Sequence, residues 1–211
     1  MVINEIYISI QGESTHIGIP MVFVRLTYCN LRCSWCDTAY AFNEGTEMSL
    51  EEIIDKIESL GLKIVEITGG EPLVQKDTPL LIGKLLDLNY TILVETSGSL
   101  DINMIPEGAI RIMDIKCPSS GELDKNDWDN ISRLKPADEV KFVIENREDF
   151  DWAKNIVSKY NLSKITEVLF SPVFDKLPSK DLVKWILKDR LPVRFQPQLH
   201  KYIWGPDKRN V

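Results

Sequence analysis

Apolar, β-branched runs recur along the chain at Met21–Tyr28, Ile64–Thr68, Tyr90–Glu95, Ile110–Ile115, Val140–Ile144, Val168–Phe170 and Val193–Phe195. Runs of this length bounded by turn residues read as buried strands. Met1–Ser9 alternates apolar and polar positions. Helical patterns lie between several of the runs. Ser49 and Glu52 form a capping box that opens a helix over Leu50–Leu60, and Gly61 closes it. Thr78–Pro79 reads as an N-cap followed by proline at the first helical position, opening a helix to about Leu88. Asn126–Leu134, Arg147–Tyr160 and Ser179–Lys188 are further helix candidates. Strands alternating with helices predict an α/β fold, a mainly parallel sheet with right-handed crossovers. The chain has 211 residues, short of the ~250 typical of a closed eight-fold barrel. The expected architecture is therefore an incomplete, curved (βα)6-type barrel in one domain, residues 1–211. Chemistry in such folds gathers at the carboxyl ends of the strands.

Composition narrows the class. The chain carries 25 Lys and Arg against 32 Asp and Glu, a net charge of −7. That balance argues against nucleic-acid binding, which needs basic surface. No apolar run approaches the roughly 20 residues of a membrane span. Met1–Ser9 lacks a charged segment followed by a long apolar one, so a cytoplasmic location without a secretory leader is expected. Three of the four cysteines fall within eight positions. A disulfide framework spreads its cysteines, whereas a tight cluster suggests metal or redox chemistry.

The cluster is Cys29-Asn30-Leu31-Arg32-Cys33-Ser34-Trp35-Cys36, directly after the first barrel strand. Thiolates suit Fe–S clusters or zinc. Closed zinc sites and most cubane clusters take four protein ligands, so three leave one metal corner open. A structural zinc site completed by Cys117 or a histidine is the competing reading. Other strand ends also carry polar or flexible residues: Thr68-Gly69-Gly70-Glu71-Pro72, Glu95-Thr96-Ser97-Gly98, Asp114-Ile115-Lys116-Cys117-Pro118 and Ser171-Pro172-Val173-Phe174. Each has an ordinary reading as a strand-to-loop turn.

The C-x3-C-x2-C spacing, with an aromatic residue before the last cysteine, resembles the radical S-adenosylmethionine (SAM) superfamily. That resemblance implies a [4Fe–4S] cluster held by Cys29, Cys33 and Cys36, whose open iron chelates SAM. Reduction of the cluster then yields methionine and a 5′-deoxyadenosyl radical that abstracts hydrogen from substrate. Gly70 and Glu71 match the superfamily segment that contacts the methionyl amino group. The SAM-binding set it implies also includes Trp35, Asp37, Glu95, Ser97, Asp114, Ile115, Lys116, Ser171 and Phe174.

Both chain ends sharpen the match. Ile10-Gln11-Gly12-Glu13, Arg25, the Cys36-Asp37-Thr38 triplet and His200-Lys201 resemble the 7-carboxy-7-deazaguanine synthases. The resemblance implies that 6-carboxy-tetrahydropterin undergoes ring contraction and loses ammonia. Ile10, Gln11, Gly12, Glu13, Arg25, Thr68 and His200 would meet the pterin, with His200 also acting on a proton. Thr38 matches a threonine that binds Mg2+ beside the substrate carboxylate. A reductant protein such as flavodoxin or ferredoxin and a homodimer are further implications, with no nucleic-acid or membrane partner. The rival readings are an activase that places a radical on a protein partner and a non-catalytic Fe–S or zinc protein. The chain runs on from His200-Lys201 to Val211, past the point where some relatives end.

Overall fold

The computed structural model describes residues 1–211. Nine strands join one open sheet in the order β3-β1-β2-β4-β5-β6-β7-β8-β9. They span Val2–Ile10 (β1), Pro20–Leu26 (β2), Thr46–Glu47 (β3), Ile64–Gly69 (β4), Thr91–Thr96 (β5), Ile110–Asp114 (β6), Glu139–Ile144 (β7), Glu167–Pro172 (β8) and Arg194–Phe195 (β9). From β2 to β9 every neighbouring pair is parallel. β1 pairs antiparallel with β2 and with β3. The helices are Leu50–Ser59 (α1), Thr78–Asp87 (α2), Arg147–Tyr160 (α3), Ser179–Asp189 (α4) and Leu199–Trp204 (α5).

The expected parallel strands are present, and the capping box at Ser49 and Glu52 forms as read. Two expectations need correction. Asn126–Leu134 is not an α-helix but a 3-10 turn over Trp128–Arg133. Its polar residues are drawn into one local bond and two to a distant loop, which compete with helix formation. Asp127 caps the turn through the Asp129 amide, and Asn130 donates to the Gly98 and Leu100 carbonyls. The β5–β6 connection likewise holds only a 3-10 turn, Ile102–Met104. Two of the six parallel crossovers therefore lack an α-helix. At α2 the N-cap is Asp77 and Thr78 is already helical. The Thr78 hydroxyl instead donates to the Pro72 carbonyl at 2.7 Å.

Side chains alternate across each strand, and the two faces differ. Val22, Val24 and Leu26 of β2, Val65 and Ile67 of β4, and Val140, Phe142 and Ile144 of β7 join one core with Ile53, Leu81, Phe150 and Leu182 of the helices. The opposite face holds a small apolar cluster of Met21, Phe23, Leu93 and Ile112. Arg25, Glu66, Glu95, Asp114 and Lys141 bring charge to other positions of that face.

Phe142 anchors the helix-packed core. It is fully buried and meets Phe170 at 5.4 Å and Trp152 at 6.3 Å, ring centre to ring centre. Phe142→Ala is expected to cost about 3–5 kcal/mol in urea unfolding, and a loss below about 1 kcal/mol would contradict this packing.

Candidate active site

Strands of a parallel sheet covered on both sides usually read as unbroken apolar runs. Here Arg25, Glu66, Thr68, Glu95, Asp114 and Lys141 interrupt them on the face away from the core helices. Those six side chains line a cleft of about 820 Å3 together with Cys29, Cys33 and Cys36. Trp35, Asp37, Thr38, Gly70, Ser97, Phe174, Ile10, Gln11, Gly12, Glu13 and His200 line it too. The sequence-derived residues thus converge, with three exceptions. Glu71 is fully buried, and Ile115 and Ser171 are 3% and 1% exposed. None of the three lines the cleft.

Glu71 has a different task. Its carboxylate accepts from the Thr96 and Ser97 hydroxyls and from the Leu73 and Ser97 amides, at 2.6–3.0 Å. It ties the end of β4 to the end of β5 and leaves the cleft wall to Gly70. A side chain at Gly70 would put its Cβ 2.2 Å from the Tyr28 carbonyl oxygen and 2.8 Å from Cys29 Cβ. The Gly69–Glu71 backbone therefore packs directly under the cysteine loop. The Glu71 amide donates to the Tyr28 carbonyl at 2.8 Å. Tyr28 itself takes a left-handed φ of 80°, turning the chain from β2 into that loop.

The loop is pinned on its far side as well. Ser34 donates through its amide to the Ser120 carbonyl at 3.0 Å, and the Arg32 amide donates to Glu122 at 2.6 Å. Burial pushes the Cys29 and Cys33 thiols up. The three sulfurs share a wall without converging on a preformed metal position. Thiolate sites commonly order around the metal and release protons as they do so. Cys117 is 1% exposed within the helix-packed core and off the cleft. It is not available as a fourth ligand, which removes that version of the zinc reading. His16 sits 3.7 Å from Glu139 and also lies off the cleft. Three soft thiolates share this wall and fit a cluster with one open corner, while His200 lies against Gly12 in the same cleft.

Opposite the cysteines runs a buried charge network. Lys141 donates to Glu13 at 2.8 Å and to Glu95. Thr68 donates to Glu95 at 3.1 Å. Burial opposes ionisation of Glu13, but Lys141 and His200 outweigh it and hold the carboxyl at about 2. Glu66 goes the other way. Burial, reinforced by Glu95 and Glu13, lifts it well above the usual carboxylate range. It accepts from the Gln11 amide nitrogen, while Gln11 Oε1 accepts from the Glu13 backbone amide at 2.9 Å. Lys116 pairs with Asp114 at 2.9 Å, leaving the other Asp114 oxygen buried without a partner.

The C-terminal helix closes the other side. The Leu199 amide donates to the Gly12 carbonyl at 2.8 Å. A Cβ on Gly12 would fall 2.1 Å from His200 Nδ1, so only glycine lets the imidazole lie against this loop. Burial pulls His200 below its usual range despite Glu13 and Asp37. Lys201 holds Asp37 at 2.5 Å and lowers it against the effect of burial. Thr38 precedes a 3-10 turn but makes no side-chain cap bond, and its hydroxyl sits 3.7 Å from Cys36 sulfur. Arg25 faces Glu5 at 3.4 Å and donates through Nη2 to the Tyr7 hydroxyl at 3.2 Å. Pro206–Val211 lines the cleft mouth, where Arg209 stacks 3.6 Å over the Tyr40 ring.

Sequence reasoning assigned no role to Lys141, Glu66, Tyr7, Tyr40 or Gln198. A signal existed for two of them: Glu66 and Lys141 are charges inside otherwise apolar strand runs. Tyr7 and Tyr40 carry no such mark, because aromatic residues are ordinary in strands and turns.

The Glu66 environment predicts a pH signature. Its folded value lies above the unfolded 4.5, so its contribution to stability is complete below that value and declines as pH rises past it. Glu66→Gln keeps an acceptor for Gln11 and removes the titration. In urea unfolding, wild type should lose stability relative to Glu66→Gln as pH rises from about 5 to 8. Parallel curves would show that Glu66 is not held neutral.

Comparison with known proteins agrees with this arrangement. The radical SAM superfamily profile matches residues 24–186. A protein of Koribacter versatilis named 7-carboxy-7-deazaguanine synthase is 42% identical over the full length of both chains. One of the same name from Chlorobaculum tepidum is 42% identical, covering 99% of this chain and 96% of that one. The crystal structure of QueE from Escherichia coli shares the fold, with a TM-score of 0.74 over 94% of each chain at 20% identity. Superfamily membership implies a [4Fe–4S] cluster, SAM and a source of electrons, and the match to the synthases adds a small-molecule substrate. The chain belongs to the radical SAM superfamily and, within it, to the 7-carboxy-7-deazaguanine synthase family.

Proposed function

We propose that the chain converts 6-carboxy-tetrahydropterin to 7-carboxy-7-deazaguanine and ammonia. The observation that carries this reading is one cleft shared by the three cysteines and by Glu13, Arg25, Thr68 and His200. A cluster held by these cysteines would supply the electron that cleaves SAM to a hydrogen-abstracting radical. Substrate equals product plus ammonia in composition, so the reaction needs no net oxidant and SAM is regenerated.

The residues divide the work by chemistry. Cys29, Cys33 and Cys36 hold the cluster. Gly70 backbone, Trp35, Asp37, Glu95, Ser97, Asp114, Lys116 and Phe174 surround SAM. Glu13, ionised, accepts ring N–H groups. Gln11 has both ends of its amide engaged with Glu66 and Glu13, so it shapes the pocket with one N–H left to offer. Arg25 offers its remaining donors to the pterin carboxylate. His200 is neutral near pH 7 and is the proton-handling group. Thr38, with a hydroxyl free of any cap, would offer Mg2+ a hard oxygen ligand. The C-terminal segment over the cleft mouth favours a small substrate over a protein partner. A flavodoxin- or ferredoxin-type donor, a homodimer and a cytoplasmic setting accompany this reading.

Anaerobic reconstitution with iron and sulfide, then SAM, a strong reductant, Mg2+ and the pterin, should yield 7-carboxy-7-deazaguanine. An intact cluster that yields none would reject the substrate. Cys33→Ala should lose both the cluster absorbance and SAM cleavage, and retained cleavage would remove Cys33 from the ligand set. Thr38→Ala should lose the rate response to Mg2+, whereas an unchanged response would place the metal elsewhere.

A further inference from the structure

Lys141 takes no part in the roles above, yet it occupies the centre of the charged face. It lies within β7 and is 5% exposed. An ammonium buried that deeply is costly unless several acceptors surround it. It bridges Glu13, 128 positions away on the hairpin loop between β1 and β2, and Glu95 on β5. The loop carrying Glu13 has no regular structure of its own, so the strand-borne lysine anchors it to a rigid element. Other groups also face Glu13. Glu66 comes from β4, Gln198 donates to Glu13 at 2.8 Å, and His200 follows on α5. Asp37, with its partner Lys201, completes the ring. Removing Lys141 would leave Glu13 facing Glu66, Glu95 and Asp37 without its one direct ion-pair partner.

We propose that Lys141 is a positioning and specificity residue that keeps the Glu13 carboxylate charged and aimed into the cleft as an acceptor for adjacent ring N–H donors. An ionised carboxylate is acceptor-only. It selects a heterocycle presenting two donors on that edge, as the aminopyrimidinone of a pterin does, and rejects one presenting lone pairs. The inference rests on the pterin reading of this cleft.

The test is the KM for 6-carboxy-tetrahydropterin against pH, read as the ratio of variant to wild type so that titration of His200 largely cancels. Lys141→Met should raise KM on the order of tenfold near pH 6, recovering toward wild type as pH rises. Lys141→Arg should restore most of the affinity at low pH. The double variant Lys141→Met, Glu13→Gln should have a weak, pH-independent KM, because its residue 13 no longer titrates. If Lys141→Met does not fold by circular dichroism, Lys141→Gln, which keeps a donor without the charge, is read in the same way. An unchanged KM, a loss confined to kcat, or a KM raised equally at every pH would each overturn the inference while leaving the substrate reading intact. A wild-type enzyme that does not turn over the pterin would overturn the substrate reading, and this inference with it.

Discussion

The contact of the Gly69–Glu71 backbone with the start of the cysteine loop sets the rest of the site. No side chain fits between Gly70 and the Tyr28 carbonyl. That close approach brings the end of β4 against the first cysteine, and Glu71 then fastens the end of β5 to the same point. Two neighbouring strand ends and the metal loop therefore move as one body. Catalytic geometry tolerates little looseness, so a backbone-level lock suits a site that must aim a short-lived radical.

The second constraint is electrostatic. The cleft face carries Glu13, Glu66, Glu95 and Asp114 against Lys116, Lys141 and Arg25. Buried charges persist only when paired or neutralised. The structure uses both routes: Lys141 and Lys116 pair with carboxylates, while burial and its carboxylate neighbours shift Glu66 toward its neutral form. Two carboxyl groups of the cleft shift in opposite directions, Glu13 down beside Lys141 and Glu66 up through burial. Such divergence is common where a site needs one acceptor and one proton-bearing group.

Much of this was legible in the sequence, and the reasons differ by element. The parallel strands announced themselves because helix packing on one side demands Val, Ile and Leu at every second position. The cysteine loop was legible because ligand spacing is local. The glycine pair was legible as a strand end, but its physical role was not, since the clash that demands Gly70 involves Tyr28, forty-two positions earlier. Glu71 was assigned to SAM through resemblance, whereas its side chain is spent on the β5 end. Asn126–Leu134 misled because Asp127 caps locally while Asn130 is tied to the distant Gly98 and Leu100 carbonyls, and the segment forms only a 3-10 turn. Lys141 went unassigned because a lone lysine in a strand resembles an edge or solvated position until its carboxylate partners, distant in sequence, are seen.

The account stands on one event: a radical generated beside Cys29, Cys33 and Cys36 removes hydrogen from the pterin carbon that bears the carboxylate. The most direct measurement is isotope transfer, using substrate deuterated at that carbon with the reconstituted, reduced protein. The account predicts deuterium in recovered SAM alongside 7-carboxy-7-deazaguanine. Product formed with no deuterium in SAM or in 5′-deoxyadenosine would contradict it.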